Sequence, residues 1–152
     1  MNSVGDLLAR DAIRLGERAG SRDEAVRRCG EVLVEIGAVG PAYVEAMLER
    51  EQSISTYIGE GVAIPHGKVP GLPGLTASFG RAVQGIDFRA IDGRPTHLFF
   101  ALFAPENSAG AHLKALARIS RIFKNPAFRD AILKAAGAAE IYRLIEAEDA
   151  KY

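Results

Sequence analysis

The sequence has a single cysteine and no net charge, and both absences exclude classes of protein. Cys29 cannot form an internal disulfide, and no Cys or His cluster has the spacing of a structural metal site. Nineteen basic and nineteen acidic residues cancel, so no overall basic field favours nucleic acid or an anionic membrane surface. We therefore expect neither a disulfide scaffold, nor a metal centre, nor a partner among nucleic acids.

Long apolar runs are also missing. No segment approaches the roughly eighteen apolar residues that a membrane span needs. The first twenty residues alternate charged and apolar side chains, unlike the apolar region of a signal peptide. The sequence thus predicts a cytoplasmic protein with no direct membrane insertion, although a membrane protein could be its partner.

The composition that remains is that of an ordinary globular chain. With 152 residues, 48% of them hydrophobic and 25% charged, the chain is long enough to bury one core. No internal repeat, low-complexity linker or shift in composition divides it. A single domain over residues 1–152 is the expected organisation.

Hydrophobic periodicity predicts strands and helices in the order of an α/β protein. We expect strands at 11–15, 75–83 and 96–104, a polar turn at 16–21, and helices at 21–36, 41–51, 109–124, 126–135 and 138–147. The run THLFFALFA at 96–104 is apolar on both faces. It should therefore be a central strand of a sheet that helices cover on both sides.

The first long helix has the clearest end signals. Ser21 is an N-cap candidate, and Glu24 follows at the spacing of a capping box. Gly37 suits the left-handed residue that often ends a helix. Cys29 falls on the apolar face of this helix and is predicted to be a core residue.

Residues 52–74 are rich in Gly, Pro, Ser and Thr and predict a loop-dominated segment with one extended piece at 62–64. Irregular segments of this length in compact domains are more often functional than idle. Here Pro65 fixes φ before His66, and Gly67 permits backbone conformations that other residues resist. The pattern could present the imidazole beside open space, but by itself it equally fits a turn histidine with no role.

His112 stands near the start of the predicted helix at 109–124, where unpaired N–H groups favour an anion. Asn107 or Ser108 could cap that helix. A structural alternative is open, because His112 also shares a helical face with core-type residues. His97, in contrast, leads directly into the apolar strand and is expected to be a packed or edge-strand histidine without a role.

Arg50 lies in the last turn of the predicted helix at 41–51. It could pair with the negative end of that helix, or its guanidinium could contact phosphate oxygens. A second basic feature is the stripe formed by Lys114, Arg118 and Arg121, which would be either a solvated helix face or a surface for an acidic partner.

Two familiar motifs do not fit the chain. The segment from Gly61 to Lys68 is superficially like a phosphate-binding P-loop, but no Ser or Thr follows the lysine and Pro65 interrupts it. The three histidines are not paired at zinc-ligand spacing. Neither nucleotide binding nor a metal site is expected.

Several segments together resemble the fructose/mannitol-type enzyme IIA family (EIIA type 2) of the bacterial phosphotransferase system. The first runs from Glu49 to Gly67 and ends in VAIPHG; the others are GIDF at 85–88, APENS at 104–108 and HLKALAR at 112–118. The likeness extends over nearly the whole chain and is weakest in the first twenty residues.

This resemblance implies a fold, a site and partners. The fold would be a mixed β-sheet with helices on both faces. His66 would be the phosphorylated histidine, with His112 as the assisting second histidine and Arg50 as the phosphate-contacting arginine. The donor would be the carrier protein HPr and the acceptor a cysteine of a IIB protein or domain, and no cofactor would be required.

Two functions within this resemblance stay open. One is a phosphoryl carrier in sugar uptake, and the other is a nitrogen-type regulatory IIA whose phosphorylation state controls protein partners. The stretch TYIG at 56–59 is similar to the mannitol type, whereas APENS at 104–108 is similar to the fructose and nitrogen types.

Overall fold

The computed structural model describes residues 3–16 and 18–152, and this part of the chain contains six helices and six strands. In chain order they are α1 (Val4–Leu7), β1 (Leu8–Arg14), α2 (Arg22–Glu35), α3 (Ala42–Ser53), β2 (Tyr57–Gly59), β3 (Val62–Ala63), β4 (His66–Val69), β5 (Thr76–Ile86), β6 (Thr96–Pro105), α4 (Ala109–Phe123), α5 (Pro126–Lys134) and α6 (Ala138–Asp149). None of these helices is long and apolar enough to cross a membrane.

Strand β6 is the centre of a single mixed sheet, which confirms the prediction for residues 96–104. It pairs antiparallel with β5 on one side and parallel with β3 and then β4 on the other. Strand β1 lies parallel beside β5, and β2 lies antiparallel beside β3. Every side chain of β6 from Leu98 to Ala104 is buried, because both faces of this strand are covered.

Helices cover both faces of the sheet, as predicted. On one face lies α2, where the Ser78 hydroxyl of β5 donates to the Cys29 carbonyl at 3.0 Å. On the other face lies α4, where the ring of Phe123 stacks on Phe79 with centroids 6.3 Å apart. Ser78 and Phe79 are neighbours in β5 and point to opposite faces, as the alternation of a strand requires. Cys29 is buried, as predicted.

Helix α2 keeps its predicted ends but not its predicted capping box. The Ser21 hydroxyl accepts from the Glu24 N–H at 3.2 Å. The Glu24 carboxylate instead accepts at 3.0 Å from the N–H of Gly20, the residue before the N-cap, in place of the Ser21 N–H that a capping box uses. Gly37, at φ 79°, ends the helix in the left-handed conformation.

The segment at 52–74, predicted to be loop-dominated with one extended piece at 62–64, contains three short strands; β3 confirms the extended piece, whereas β2 and β4 were not predicted. Each has only two to four residues, too few for a periodic signal. Their strand conformation comes from pairing: β3 and β4 add to the free edge of β6, and β2 adds to β3. Local composition does not reveal such pairing, which a neighbouring strand imposes.

The N-terminal region is more regular than predicted. The expected strand at 11–15 begins earlier, at Leu8, and follows the short helix α1. A reciprocal capping box starts α1: the Asp6 N–H donates to the Ser3 hydroxyl, and the Ser3 N–H donates to the Asp6 carboxylate. The predicted turn at 16–21 includes Glu17, which lies outside the described residues.

Candidate functional site

The fold brings His66 and His112 together from distant parts of the sequence. His66 is the first residue of β4 and pairs with Leu102 in the ladder to β6. Its side chain therefore lies on the sheet face that α4 covers. There the ring meets His112, in the first half of α4, with centroids 5.3 Å apart and ring planes at 79°.

The two histidines line an open pocket of about 290 Å³ together with Arg50 and Lys68. Ala46 and Gly67 complete its lining. All three residues predicted for the site thus meet at one pocket. Lys68 is a site residue that sequence reasoning missed; since strand residues two apart share a face, predicting β4 would have placed it beside His66.

The hydrogen bond of His66 defines its tautomer. The Nδ1 atom lies 2.8 Å from the Ile64 carbonyl oxygen. A carbonyl can only accept, so Nδ1 carries the proton and donates it to this bond. The lone pair of the neutral ring is therefore on Nε2, the nitrogen available to a nucleophilic reaction.

Both histidines are held neutral near pH 7. Burial lowers the pKa of His66 from its ordinary value, and the positive charge of Arg50 lowers it further, while the Ile64 hydrogen bond and the negative charge of Glu51 oppose this. Burial also lowers the pKa of His112, which falls to about 4 with the added effect of His66, Lys68 and Arg50. A buried imidazole among cations resists a further positive charge.

His112 is 7% exposed, and its Nε2 atom is buried without a hydrogen-bond partner among the described residues. A buried polar atom of this kind is uncommon and suggests a group that receives its partner during function. The burial of His112 also agrees in part with the structural alternative, in which this side chain packs against the core.

Arg50 bonds to the end of its own helix and also lines the histidine pocket. One guanidinium N–H donates to the carbonyl of Ile54, the residue that caps the C-terminus of α3, at 2.7 Å. The same side chain lines the histidine pocket. A bond to the helix end therefore orients a guanidinium, which has five N–H donors in total, beside the two imidazoles.

The sequence predicted that Gly67 supplies backbone freedom after His66, but the structure shows a different use for this glycine. Its φ is not positive, unlike that of Gly59 or Gly61. A Cβ at this position would lie 3.2 Å from the ring of Phe103, its ladder partner. The small residue lets β4 pack closely on the core just after His66.

The predicted side-chain cap of α4 is wrong. Ser108 occupies the N-cap position, but no side chain caps the helix. The Ser108 hydroxyl donates instead to the Pro105 carbonyl at 2.8 Å, which tightens the turn from β6 into α4.

His97 and the basic stripe of α4 lie apart from the pocket lining. His97 Nδ1 lies 3.0 Å from the Ala82 carbonyl across the β5–β6 pair, as a packed strand histidine does. In the stripe, Arg118 pairs with the buried Asp149 at 2.8 Å, and Arg121 lies over the ring of Tyr152. Arg118 is therefore a half-buried partner of Asp149 and not a solvated side chain, whereas Arg121 is exposed, as a solvated face predicts.

The chemistry of the pocket suits one class of reaction. A neutral imidazole with its lone pair on Nε2, beside an arginine, a lysine and a second neutral histidine, fits nucleophilic attack on an anionic electrophile. Within residues 3–16 and 18–152, no group of three His, Cys, Asp or Glu side chains could hold a metal ion. The class that the fold and pocket define is an α/β protein with a neutral histidine in a cationic pocket.

Comparison with known proteins agrees with this class and gives the family. Residues 6–148 match the family model described as phosphoenolpyruvate-dependent sugar phosphotransferase system, EIIA 2. The chain belongs to this family, whose members are phosphotransferase components.

Its relatives include sugar-specific phosphotransferase components and a nitrogen regulatory protein. It is 36% identical to a nitrogen regulatory protein of Bradyrhizobium diazoefficiens over 93% of this chain and 94% of that protein. It is 33% identical to a mannitol-specific enzyme IIA component of Staphylococcus aureus, over 97% and 100%. It is 34% identical to the fructose-specific EIIABC component of Bacillus subtilis over 96% of this chain, which spans only 23% of that relative.

Solved structures have the same fold. The nitrogen regulatory protein IIA-Ntr of Neisseria meningitidis superposes with a TM-score of 0.86 at 32% identity, covering 93% of this chain and 98% of that one. The complex of enzyme IIA and phosphorylated enzyme IIB for mannitol from Escherichia coli gives a TM-score of 0.79 at 26% identity, over 93% and 99%.

Proposed function

We propose that this protein is a phosphoryl carrier of the sugar phosphotransferase system that accepts a phosphoryl group from phospho-HPr on His66 and passes it to a cysteine of a IIB protein. The observation that carries the proposal is the Nδ1–H bond from His66 to the Ile64 carbonyl, which leaves the Nε2 lone pair beside Arg50, Lys68 and His112. The exchange would take place in the cytoplasm.

The two transfers balance without a metal or nucleotide. In the first, the His66 Nε2 lone pair forms a bond to phosphorus as the P–N bond of the donor phosphohistidine breaks, and its electron pair returns to the donor imidazole. In the second, a cysteine thiolate forms an S–P bond as the Nε2–P bond breaks, and the electron pair returns to Nε2. A covalent intermediate divides one difficult transfer into two easier ones.

The cationic side chains provide what this chemistry needs. The transition state of phosphoryl transfer is loose, with negative charge on three equatorial oxygens, so positioning and positive charge matter most. Arg50 and Lys68 line the pocket where those oxygens would lie. His112, neutral at pH 7, can donate one hydrogen bond without repelling the ring of His66.

The partner assignment is supported by relatives. The mannitol IIA of Escherichia coli forms a complex with phosphorylated IIB, and this chain shares its fold. The fructose-specific relative of Bacillus subtilis is named as an EIIABC component, so an EIIA unit is part of a longer chain there.

The direct experiment is reconstitution. The purified protein is incubated with phosphoenolpyruvate, enzyme I and HPr, and acid-labile phosphate on the protein is measured. We expect labelling of the wild type and none of His66→Ala. Equal labelling of the two would overturn the assignment of His66.

A second candidate is the nitrogen-type regulatory function, in which the phosphorylation state of His66 controls binding to another protein. It is favoured by the 36% identity to a nitrogen regulatory protein and by the TM-score of 0.86 to IIA-Ntr. Affinity capture with the phosphorylated and unphosphorylated protein separates the candidates. A partner that depends on the phosphorylation state and is not a IIB protein supports regulation, whereas transfer to a IIB cysteine supports transport.

A further inference from the structure

A buried carboxylate lies behind the candidate site and has no part in the mechanism above. Glu51 is only 1% exposed, although it follows Arg50 in the last turn of α3. Burial of a carboxylate is unfavourable, and a negative charge at a helix C-terminus is unfavourable as well. A buried glutamate at this position therefore needs specific hydrogen-bond partners.

The partners of Glu51 lead to His66. One carboxylate oxygen accepts from the Thr56 N–H at 2.7 Å, and the other accepts from the Thr56 hydroxyl. The Thr56 carbonyl accepts from the Ile64 N–H at 3.0 Å. The Ile64 carbonyl then accepts from His66 Nδ1–H at 2.8 Å. Three hydrogen-bonded steps, linked through the backbone of Thr56 and of Ile64, thus lead from the carboxylate to the side of the imidazole opposite Nε2.

The chemistry of transfer gives this series a function. While Nδ1 keeps its proton, bonding of Nε2 to phosphorus makes the ring an imidazolium. The carbonyl that accepts from Nδ1–H stabilises this positive charge. The carboxylate behind that carbonyl polarises the intervening hydrogen bonds so that they stabilise the positive charge further. Serine proteases use a buried aspartate for the equivalent task, in direct contact with the histidine.

We propose that Glu51 is a positioning residue for His66, which through Thr56 and the Ile64 carbonyl keeps the proton on Nδ1 and stabilises the ring while Nε2 carries phosphorus. This inference rests on the proposed function and deepens it. Glu51 does not touch the reacting atoms; it acts through the two intervening residues.

The electrostatic balance at the ring agrees with this role. The groups that face it are Arg50 from α3, Lys68 from β4 and His112 from α4, and each is a cation or a neutral ring. Burial and Arg50 lower the pKa of His66, whereas the negative charge of Glu51 raises it. Removal of that negative charge should therefore lower the pKa of His66 further.

The test is Glu51→Gln, which keeps the shape of the side chain and removes its charge. The matched control is Glu148→Gln, because Glu148 is also a buried carboxylate but bonds Asn125 beyond the far end of α4. NMR would follow the titration of His66 and the proportion of its Nδ1–H tautomer. We expect the titration midpoint to fall by on the order of half a unit and the Nδ1–H tautomer to decrease in Glu51→Gln only.

Transfer rates give the second readout. Phosphoryl transfer from phospho-HPr should be about tenfold slower in Glu51→Gln and unchanged in Glu148→Gln. Thr56→Val loses the hydroxyl donor to Glu51 but keeps the backbone bonds. It should lower the titration midpoint of His66 by a smaller amount than Glu51→Gln does. If Glu51→Gln does not fold, the titration of Thr56→Val decides the test.

The inference would be overturned if folded Glu51→Gln, or Thr56→Val in its place, kept the His66 titration midpoint and tautomer of the wild type. Glu51 would then only stabilise the loop that contains Thr56. The proposed function fails separately. If the wild type took no phosphate from phospho-HPr, the carrier function would be lost, whereas the NMR titration would still decide how Glu51 acts on His66.

Discussion

His66 and His97 have the same local bonding but different surroundings. Both rings are half-buried, and each has its Nδ1 atom against a backbone carbonyl, that of Ile64 at 2.8 Å and that of Ala82 at 3.0 Å. Only His66 opens onto a pocket with a second imidazole, an arginine and a lysine. A fixed tautomer is thus common to both, and the charged surroundings of Nε2 distinguish the proposed nucleophile.

The ring of His97 is enclosed by small and rigid neighbours. A Cβ at Gly85 would lie 2.9 Å from this ring and 2.7 Å from the Cβ of Pro95. The position of His97 is therefore set by close packing at the end of the β5–β6 pair. A histidine bonded to a carbonyl is thus a candidate nucleophile only where its other nitrogen faces space and positive charge.

The largest expected effect separates the two histidines directly. His66→Gln should abolish acceptance of phosphate from phospho-HPr, because the nucleophile is removed. His97→Gln should remain within about twofold of the wild type, since its ring lies outside the pocket lining. Loss of transfer in His97→Gln, with the fold intact by circular dichroism, would contradict this distinction.

Arg50 is expected to give the next largest effect. Arg50→Gln should slow phosphoryl transfer by about 10²-fold, since it removes a cation beside the oxygens that carry charge in the transition state. Arg94→Gln is the matched control, because Arg94 is an exposed arginine that pairs with Glu60. Stopped-flow transfer from phospho-HPr measures both, and equal rates would show that Arg50 has no part in the transfer.

The glycines beside the two histidines should differ in their effect on stability. Gly85→Ala should lower the free energy of unfolding by about 3 kcal/mol, because φ is +79° and the new Cβ meets Pro95 and His97. Gly67→Ala should lower it by about 1 kcal/mol, because its only close contact is the Phe103 ring at 3.2 Å. Denaturant unfolding gives both values, and the reverse order would contradict this packing.

A smaller effect is expected from the pH dependence of His112. Its folded pKa of about 4 lies below the value of about 6.5 in an unfolded chain, so protonation favours unfolding. Its contribution to stability should be fully present above about pH 6.5 and be lost as the pH falls toward 4. The stability difference between the wild type and His112→Gln, followed by urea unfolding, should shrink over that interval; a constant difference would contradict a neutral buried ring.

Much of the fold could be predicted from the sequence, where patterns were long or chemically distinct. The nine-residue apolar run at 96–104 predicted the central strand, and Ser21 and Gly37 marked the ends of α2. Of the short strands, only β3 was predicted, as the extended piece at 62–64. Strands β2 and β4 could not be predicted, because their conformation depends on pairing with neighbouring strands and leaves no periodic signal in three or four residues.

The residues of the candidate site also include some that could be predicted from the sequence and some that could not. His66, His112 and Arg50 were predicted from motifs and from the resemblance to EIIA proteins, and the structure places them at one pocket. Lys68 and Glu51 were not predicted as site residues. The position of Lys68 follows from strand β4, and that of Glu51 from hydrogen bonds to Thr56, which is five residues further along in a segment predicted to be a loop.

The proposed function depends above all on acceptance of a phosphoryl group by Nε2 of His66. The direct measurement is ¹⁵N and ³¹P NMR of the protein after phosphorylation by phospho-HPr, with ¹⁵N-labelled histidine. We predict one phosphohistidine, at His66, with phosphorus coupled to Nε2 and a proton retained on Nδ1. Phosphorus on Nδ1 of His66, or on His97 or His112, would contradict this prediction.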